Sequence, residues 1–384
     1  MVTMLTAQTF EIDDLDLAVS EIHEQLDLPN KQLKYAVGIL ACYPEFLDTG
    51  VAKAICDSLP FDVVGTTTLA CGTPGDKGTM MLALSVLTSD DVALTATRSK
   101  SLVEDHRSAI AVAYDKGLAS LPGEPSMIIT LAPVMDYLSG DVLIETLGEV
   151  SSGLPLFGTL PCDHTNDYNQ TYVIHNGVGY ENTLAMILLS GPVEPKFYIV
   201  SIPEEKRQKQ NAIITASEGN VLHRVNDMPL LSYLETLGLA ESNSVETAKI
   251  IPFVVDYNDG TTPVVRGIYR FTPDGSAMCG GLMPKGSTLS VGSLDHDDVI
   301  SSTRTLIQTI RKESNPKVML VMSCICRGWT LGMDVLAEME TVEEESGEIP
   351  FMFSYSGGEI CPVYNEGGKT FNRFHNYTCV ICTF

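Results

Sequence analysis

Apolar runs of strand length recur along the whole chain: "LKYAVGILAC" at 33–42, "FDVVGTTTLA" at 61–70, "SMIITLA" at 126–132, "LAMILLSG" at 184–191, "KVMLVMSCI" at 317–325 and "PFMFSYS" at 350–356. They are rich in Val, Ile, Met and Thr, carry no polar alternation, and each meets a Gly or Pro at its end or within three residues of it. Such runs read as strands buried on both faces. A sheet buried on both faces must be covered on both, so sheets pack together in the middle of the molecule and helices lie outside. Helical periodicity fills the gaps, as in "EFLDTGVAKAICDSL" and "DDVISSTRTLIQTIRKE". Strands also follow one another directly. "TSDD" between "TMMLALSVL" and "VALTATRS" is turn chemistry and predicts a hairpin. The expected class is α+β, with mixed, largely antiparallel sheets.

The order of elements repeats. "SMIITLAPVMD" in the first half corresponds to "KVMLVMSCICRG" in the second, and "LPLFGTLPCDHTND" to "PFMFSYSGGEICPV". Both halves run strand pair, helix, strand, helix, strand, loop, strand, which predicts an internal duplication. The expected division is a strand–helix extension over 1–32, a first half over 33–228 and a second over 229–384. "GTPGDKGT" lacks the spacing of a phosphate loop and reads as a strand-to-strand turn. The acidic run "EMETVEEESGE" reads as a solvated helix end, and the acids of "LDHDD" as a helix start.

Charge narrows the function. The 49 acidic and 24 basic residues leave a net charge of -25, which repels phosphate backbones and anionic lipid. Nucleic-acid and membrane-surface partners are therefore not expected. No apolar run reaches the roughly 18–20 residues of a membrane span. The N-terminus has no signal-peptide pattern, and the ten cysteines are scattered in apolar runs, the pattern of reduced core thiols in a cytoplasmic protein.

The chemistry-bearing residues sit where apolar strands end. The first half offers Asp163 in "GTLPCDHTND". The second offers Cys324 and Arg327 in "SCICRGW", Tyr355 and Glu359 in "SYSGGEICP", His375 and Asn376 in "NRFHNYT", and the basic pair Arg266 and Arg270 in "VVRGIYR". Strand-end loops on a rigid scaffold are where binding groups collect. Arg266 or Arg327 can hold a carboxylate and Glu359 an ammonium, which suits an amino acid or similar zwitterion. Tyr355, His375 and Asn376 supply directional hydrogen bonds. The alternative is an internal Arg–Glu359 ion pair that closes the sheet ends. A cysteine nucleophile, Cys324 or Cys162, is a further alternative. No catalytic motif of a known enzyme class is present.

The same corners resemble the FIST domain family, intracellular sensory proteins with N-terminal and C-terminal FIST halves. The stretches that carry the resemblance are "VVGTTTLACG", "LPLFGTLPCD" with "TYVIHNG", "SCICRG", and above all "FSYSGGEICP" with "FHNYT". The resemblance implies a small-molecule ligand, with amino acids among the candidates, and places Glu359, His375, Asn376 and Arg327 at motif positions. It implies that the signal passes to a separate protein such as a kinase or cyclase. A branch of the family is associated with haem and nitric oxide, for which His375 or Cys324 would be the axial ligand. The first half has "GTTTLACG" where the family often carries a glutamate, so no symmetric second pocket is implied.

Overall fold

The computed structural model describes residues 1–135, 138–165, 168–239, 251–365 and 367–384. The chain builds the same unit three times. Unit 1 comprises β1 (Thr3–Thr9), α1 (Leu15–Leu26), β2 (Tyr35–Cys42), α2 (Val51–Ser58), β3 (Val63–Thr67), a short hairpin β4 (Cys71–Thr73) and β5 (Asp76–Gly78), and β6 (Leu82–Ser89). Unit 2 follows with β7 (Ala93–Arg98), α3 (His106–Ala119), β8 (Met127–Leu131), α4 (Gly140–Val150), β9 (Leu156–Thr159), the hairpin β10 (Val173–His175) and β11 (Val178–Tyr180), and β12 (Ala185–Ser190). Unit 3 opens with β13 (Lys196–Val200) and is interrupted by an insertion before it resumes.

The insertion is a sheet of its own. It holds β14 (Ala212–Glu218), β15 (Val221–Val225), β16 (Met228–Pro229), α5 (Leu230–Thr236), β17 (Phe253–Asp256), β18 (Val264–Arg266), β19 (Ile268–Phe271), β20 (Ala277–Cys279) and β21 (Thr288–Val291). Its strand order runs from β18 to β19, so the two edge strands are consecutive in the chain and meet at Gly267. The sheet is curled around a separate core that includes Ile214, Phe253 and Leu289. Unit 3 then continues with α6 (His296–Glu313), β22 (Met319–Cys324), α7 (Ile325–Leu331), α8 (Ala337–Ser346), β23 (Phe351–Ser356), the hairpin β24 (Glu359–Tyr364) and β25 (Thr370–His375), and β26 (Cys379–Thr383).

In each unit a parallel pair is joined through helix, and a third strand lies antiparallel beside it: β2, β3 and β6; β8, β9 and β12; β22, β23 and β26. The parallel connection requires the crossover helix, which is why each pair is separated by one. The unit's first strand completes the order, as β1 on β6, β7 on β12 and β13 on β26. Each sheet is then extended by the hairpin of a different unit. β10 joins β3, β24 joins β9 and β4 joins β23. The exchange runs in a closed ring, and the strand ends meet at its centre. There Cys162 N donates to Thr67 O (3.1 Å), Gly357 N to Leu160 O (2.9 Å) and Tyr355 N to Ala70 O (3.1 Å), so every pair of units is bonded.

Burial follows from this plan. Ile39, Ile129 and Leu320 point from the three sheets into one shared core. The opposite faces pack under the helices, with Leu40 against Ile22 and Ile55, Ile128 against Ile110 and Leu143, and Val321 against Ile307 and Val342. Strands apolar on both faces are thereby covered on both. The α+β class and the mixed, mostly antiparallel sheets are as the sequence implies, and the matched segments of the two halves do correspond, β8 to β22 and β9 to β23.

Three readings change. The repeat has a third copy, which the sequence hides because unit 1 supplies the residues read as an extension: β1 pairs with β6 along its whole length, so residues 1–32 are integral. The "TSDD" turn makes no hairpin, because β6 and β7 belong to different sheets and the turn carries the chain from one unit to the next. The strand read over 317–325 stops at Cys324, because Ile325 already opens α7.

Candidate functional site

A cavity of about 260 Å³ opens where unit 2, unit 3 and the insertion meet. It lies beyond the carboxyl ends of β8, β9, β22 and β23, the position that open parallel sheets offer to ligands. Val134, Met135 and Ser139 contribute from the β8–α4 connection, Leu160 and Gly357 from the centre of the ring, Tyr269, Arg270 and Met278 from the insertion, and Cys324, Cys326, Trp329, Phe374 and Asn376 from unit 3.

The insertion approaches the body through glycines. A Cβ at Gly280 would stand 2.2 Å from Asn376 Oδ1, and one at Gly281 2.4 Å from Asp141 Oδ2. No side chain fits at either place, so backbone meets side chain directly. Asn376 Oδ1 accepts from Gly267 N (3.2 Å), at the seam of the curled sheet. Asp141, in the first turn of α4, accepts from Leu282 N (2.8 Å) and pairs with Arg266 (3.0 Å). Burial pushes the Asp141 carboxyl up, and the Arg266 guanidinium beside it pulls it back.

Of the residues proposed from sequence, Cys324 and Asn376 line the cavity and the other six stand behind it. Arg266 is wholly buried and its guanidinium is fully engaged, with Asp141, the Tyr257 hydroxyl (2.6 Å) and the carbonyls of Phe374 (2.6 Å), Val265 and Leu282. It clamps the insertion to unit 2. Arg327 is equally buried and pairs with Glu338 (2.8 Å), which also accepts from Ser323 (2.7 Å) and Thr303 (2.7 Å). Glu338 is the first acid of the run read as a solvated helix end; it is fully buried because α8 packs it against Arg327. Neither arginine meets Glu359.

Tyr355 is a core residue whose hydroxyl donates to Val335 O (2.8 Å). Glu359 is fully buried, accepts from the Thr378 hydroxyl (2.6 Å), and its Oε1 has no hydrogen-bond partner among the described residues. Burial, with Cys324 close by, raises its pKa well above the usual range, and the side chain is sealed away from any ammonium in the cavity. His375 Nε2 donates to Cys361 O (3.2 Å), and burial lowers its pKa to about 3. Asp163 braces the loop after β9, accepting from Thr165 and from Gln170 N (2.7 Å), and so supports the segment that carries Tyr168.

The alternatives fare as follows. Burial pushes both the Cys324 and Cys162 thiols up, so neither is a thiolate, and a nucleophilic cysteine needs one. As an axial haem ligand His375 does not fit, because its Nε2 is turned to a backbone carbonyl and the ring is not in the cavity wall. Cys324 reaches the cavity, but as a neutral thiol.

The wall also contains Tyr168, Tyr269 and Cys326, which the sequence reading did not single out, Trp329 at the end of "SCICRGW", and Arg270, which was named with Arg266 but given no binding role. The rings of Tyr168 and Tyr269 are 6.1 Å apart at 56°. Burial raises both phenol pKa values, so both are neutral hydrogen-bond donors. Arg270 is exposed and makes no ion pair or side-chain hydrogen bond among the described residues. The signal for it was in "VVRGIYR": Gly267 breaks the alternation, so one arginine turns inward and the other out.

The model of the FIST N domain matches residues 36–228, and that of the FIST C domain matches residues 229–362. The chain belongs to the FIST family. FIST domains are sensor domains of signal transduction. No curated protein matches this FIST chain. The two matched regions meet at Met228–Pro229, inside the insertion, so the cavity of this FIST protein draws its wall from both. No helix among its described residues is long and apolar enough to cross a membrane.

Proposed function

We propose that this FIST protein is a sensor that holds a small organic carboxylate in the cavity between unit 2, unit 3 and the insertion. The observation that carries the reading is the construction of that cavity: three separately built parts supply its wall. A ligand touching all three favours the arrangement in which they are closed together, and that difference in affinity is what a sensor transmits. The cavity is small and largely apolar with a few convergent polar groups, the make-up of a small-molecule site. Arg270 supplies the charge for a carboxylate, the role first given to Arg266 or Arg327.

The closed state passes its signal to a separate protein such as a kinase or cyclase, in the cytoplasm, where ten free thiols persist. Catalysis is not part of this reading. Trp329 is the chain's single tryptophan and lies in the wall, so its emission reports occupancy directly. Titration with small carboxylates should change that emission saturably and raise the unfolding midpoint over the same range. Ligands that raise the midpoint while leaving Trp329 emission flat would place the site elsewhere.

A further inference from the structure

We infer that the ligand is a monoanion with a flat, apolar body, the size of an aryl carboxylate, and that Arg270 selects it over zwitterions. The inference rests on the cavity reading above and narrows it. The chain has ten arginines, and nine have an ion pair, a hydrogen bond or a ring contact within the fold: Arg266, Arg327, Arg107, Arg304 and Arg373 with carboxylates, Arg207, Arg224 and Arg311 with carbonyls, and Arg98 with a carbonyl and the face of Tyr180. Arg270 alone has none among the described residues, in a chain whose acids outnumber its bases by 25 (49 less 24). It is also the one charged side chain among the described wall residues.

Two more donors face the same space. The hydroxyls of Tyr168 and Tyr269 carry no hydrogen bond among the described residues, and both phenols stay protonated. A guanidinium and two phenols without partners form a donor set for an anion. The same wall offers no carboxylate to an ammonium among its described residues, and Glu359, the acid nearest by sequence motif, is wholly buried and outside it. An amino group brought against these described residues would lose water without gaining a counter-charge. The body of the ligand follows from the remaining wall. Tyr168, Tyr269, Trp329 and Phe374 present rings, and Leu160 and Ile268 fill between them. A cavity of about 150 Å³ accepts benzene, so one of about 260 Å³ accepts a single ring with a short acid arm.

The test is calorimetric titration of the full chain with three matched probes: phenylacetate, phenylacetamide and phenylalanine. Phenylacetate should bind about tenfold or more tightly than either of the others. Arg270→Gln should erase the preference of acid over amide while the unfolding midpoint of the ligand-free protein stays unchanged, and Arg270→Lys should restore part of the preference. Equal binding of acid and amide to the native protein would overturn the charge selection while leaving the cavity reading in place. So would an Arg270→Gln protein that keeps the preference, and tighter binding of phenylalanine would overturn the exclusion of zwitterions. If none of the three probes binds, both the inference and the aromatic cavity beneath it fail.

Discussion

Two buried guanidinium groups and one exposed one lie in the second half of the chain and behave in opposite ways. Arg266 and Arg327 are wholly enclosed, and each is tied to a carboxylate and to backbone or hydroxyl oxygens. Arg270, four residues after Arg266, stands in the cavity wall with its donors unused among the described residues. Residue type is the same; the number of partners supplied by the fold decides the role. Guanidinium groups already tied to carboxylates of their own protein hold elements together, and one left open is available to recognise something from outside.

Mutations can break that contrast from either side. The largest effect belongs to Glu338→Ala, which strands Arg327 in the core of unit 3 and should cost about 3–5 kcal/mol of stability in denaturant unfolding. Joint replacement, Arg327→Met with Glu338→Leu, should recover much of the loss, because the penalty comes from the stranded charge. Probe binding should survive in any of these variants that fold, since neither residue lines the cavity. Asp141→Ala releases the clamp between the insertion and unit 2. It should cost about 2–5 kcal/mol and, unlike the first, weaken binding in the adjoining cavity, because Ser139 and Gly140 in the wall lie beside it.

A smaller effect comes from His375, whose folded pKa of about 3 lies below its ordinary 6.5. The fold keeps the ring neutral, so its contribution is complete above pH 6.5 and is lost as acid protonates the unfolded chain. Stability should fall by up to about 1.4 kcal/mol per pH unit below that point, and His375→Gln should flatten the slope over the same interval. An unchanged slope would mean that other groups govern the acid limb. The smallest effect is that of Arg270→Gln, which should leave stability within about 0.5 kcal/mol and alter binding alone.

The sequence makes some of this legible. Apolar runs without alternation demand sheets covered on both faces, and the strand-end corners mark the region of the cavity; Cys324 and Asn376 are in its wall. The partners of the buried charges are not legible, because Asp141 and Glu338 lie in segments whose composition is that of ordinary helix surface. Glu359 illustrates the converse. A glutamate in a strand-end motif suggests a ligand contact, but pairing with Thr159 and His375 across the sheet seals it inside. Which arginine of "VVRGIYR" faces the cavity depends on how the sheet curls at Gly267, and that is settled by strands far away in the chain. The third repeat escaped for a similar reason: its equivalence to the others lies in strand order, while its residues differ.

The ring of exchanged hairpins also sets an order of events during synthesis. The sheet of unit 1 can be filled once β10 and β11 have left the ribosome, but that of unit 2 lacks its outer strands until β24 and β25 exist. The hairpin β4–β5, made among the first 80 residues, has no sheet to join until β23 emerges at 351–356. A nascent chain therefore carries an unfilled strand edge until β23, β24 and β25 have emerged, and only then can the ring close. A truncation anywhere before the last hairpin would leave an exposed edge ready to pair with another copy.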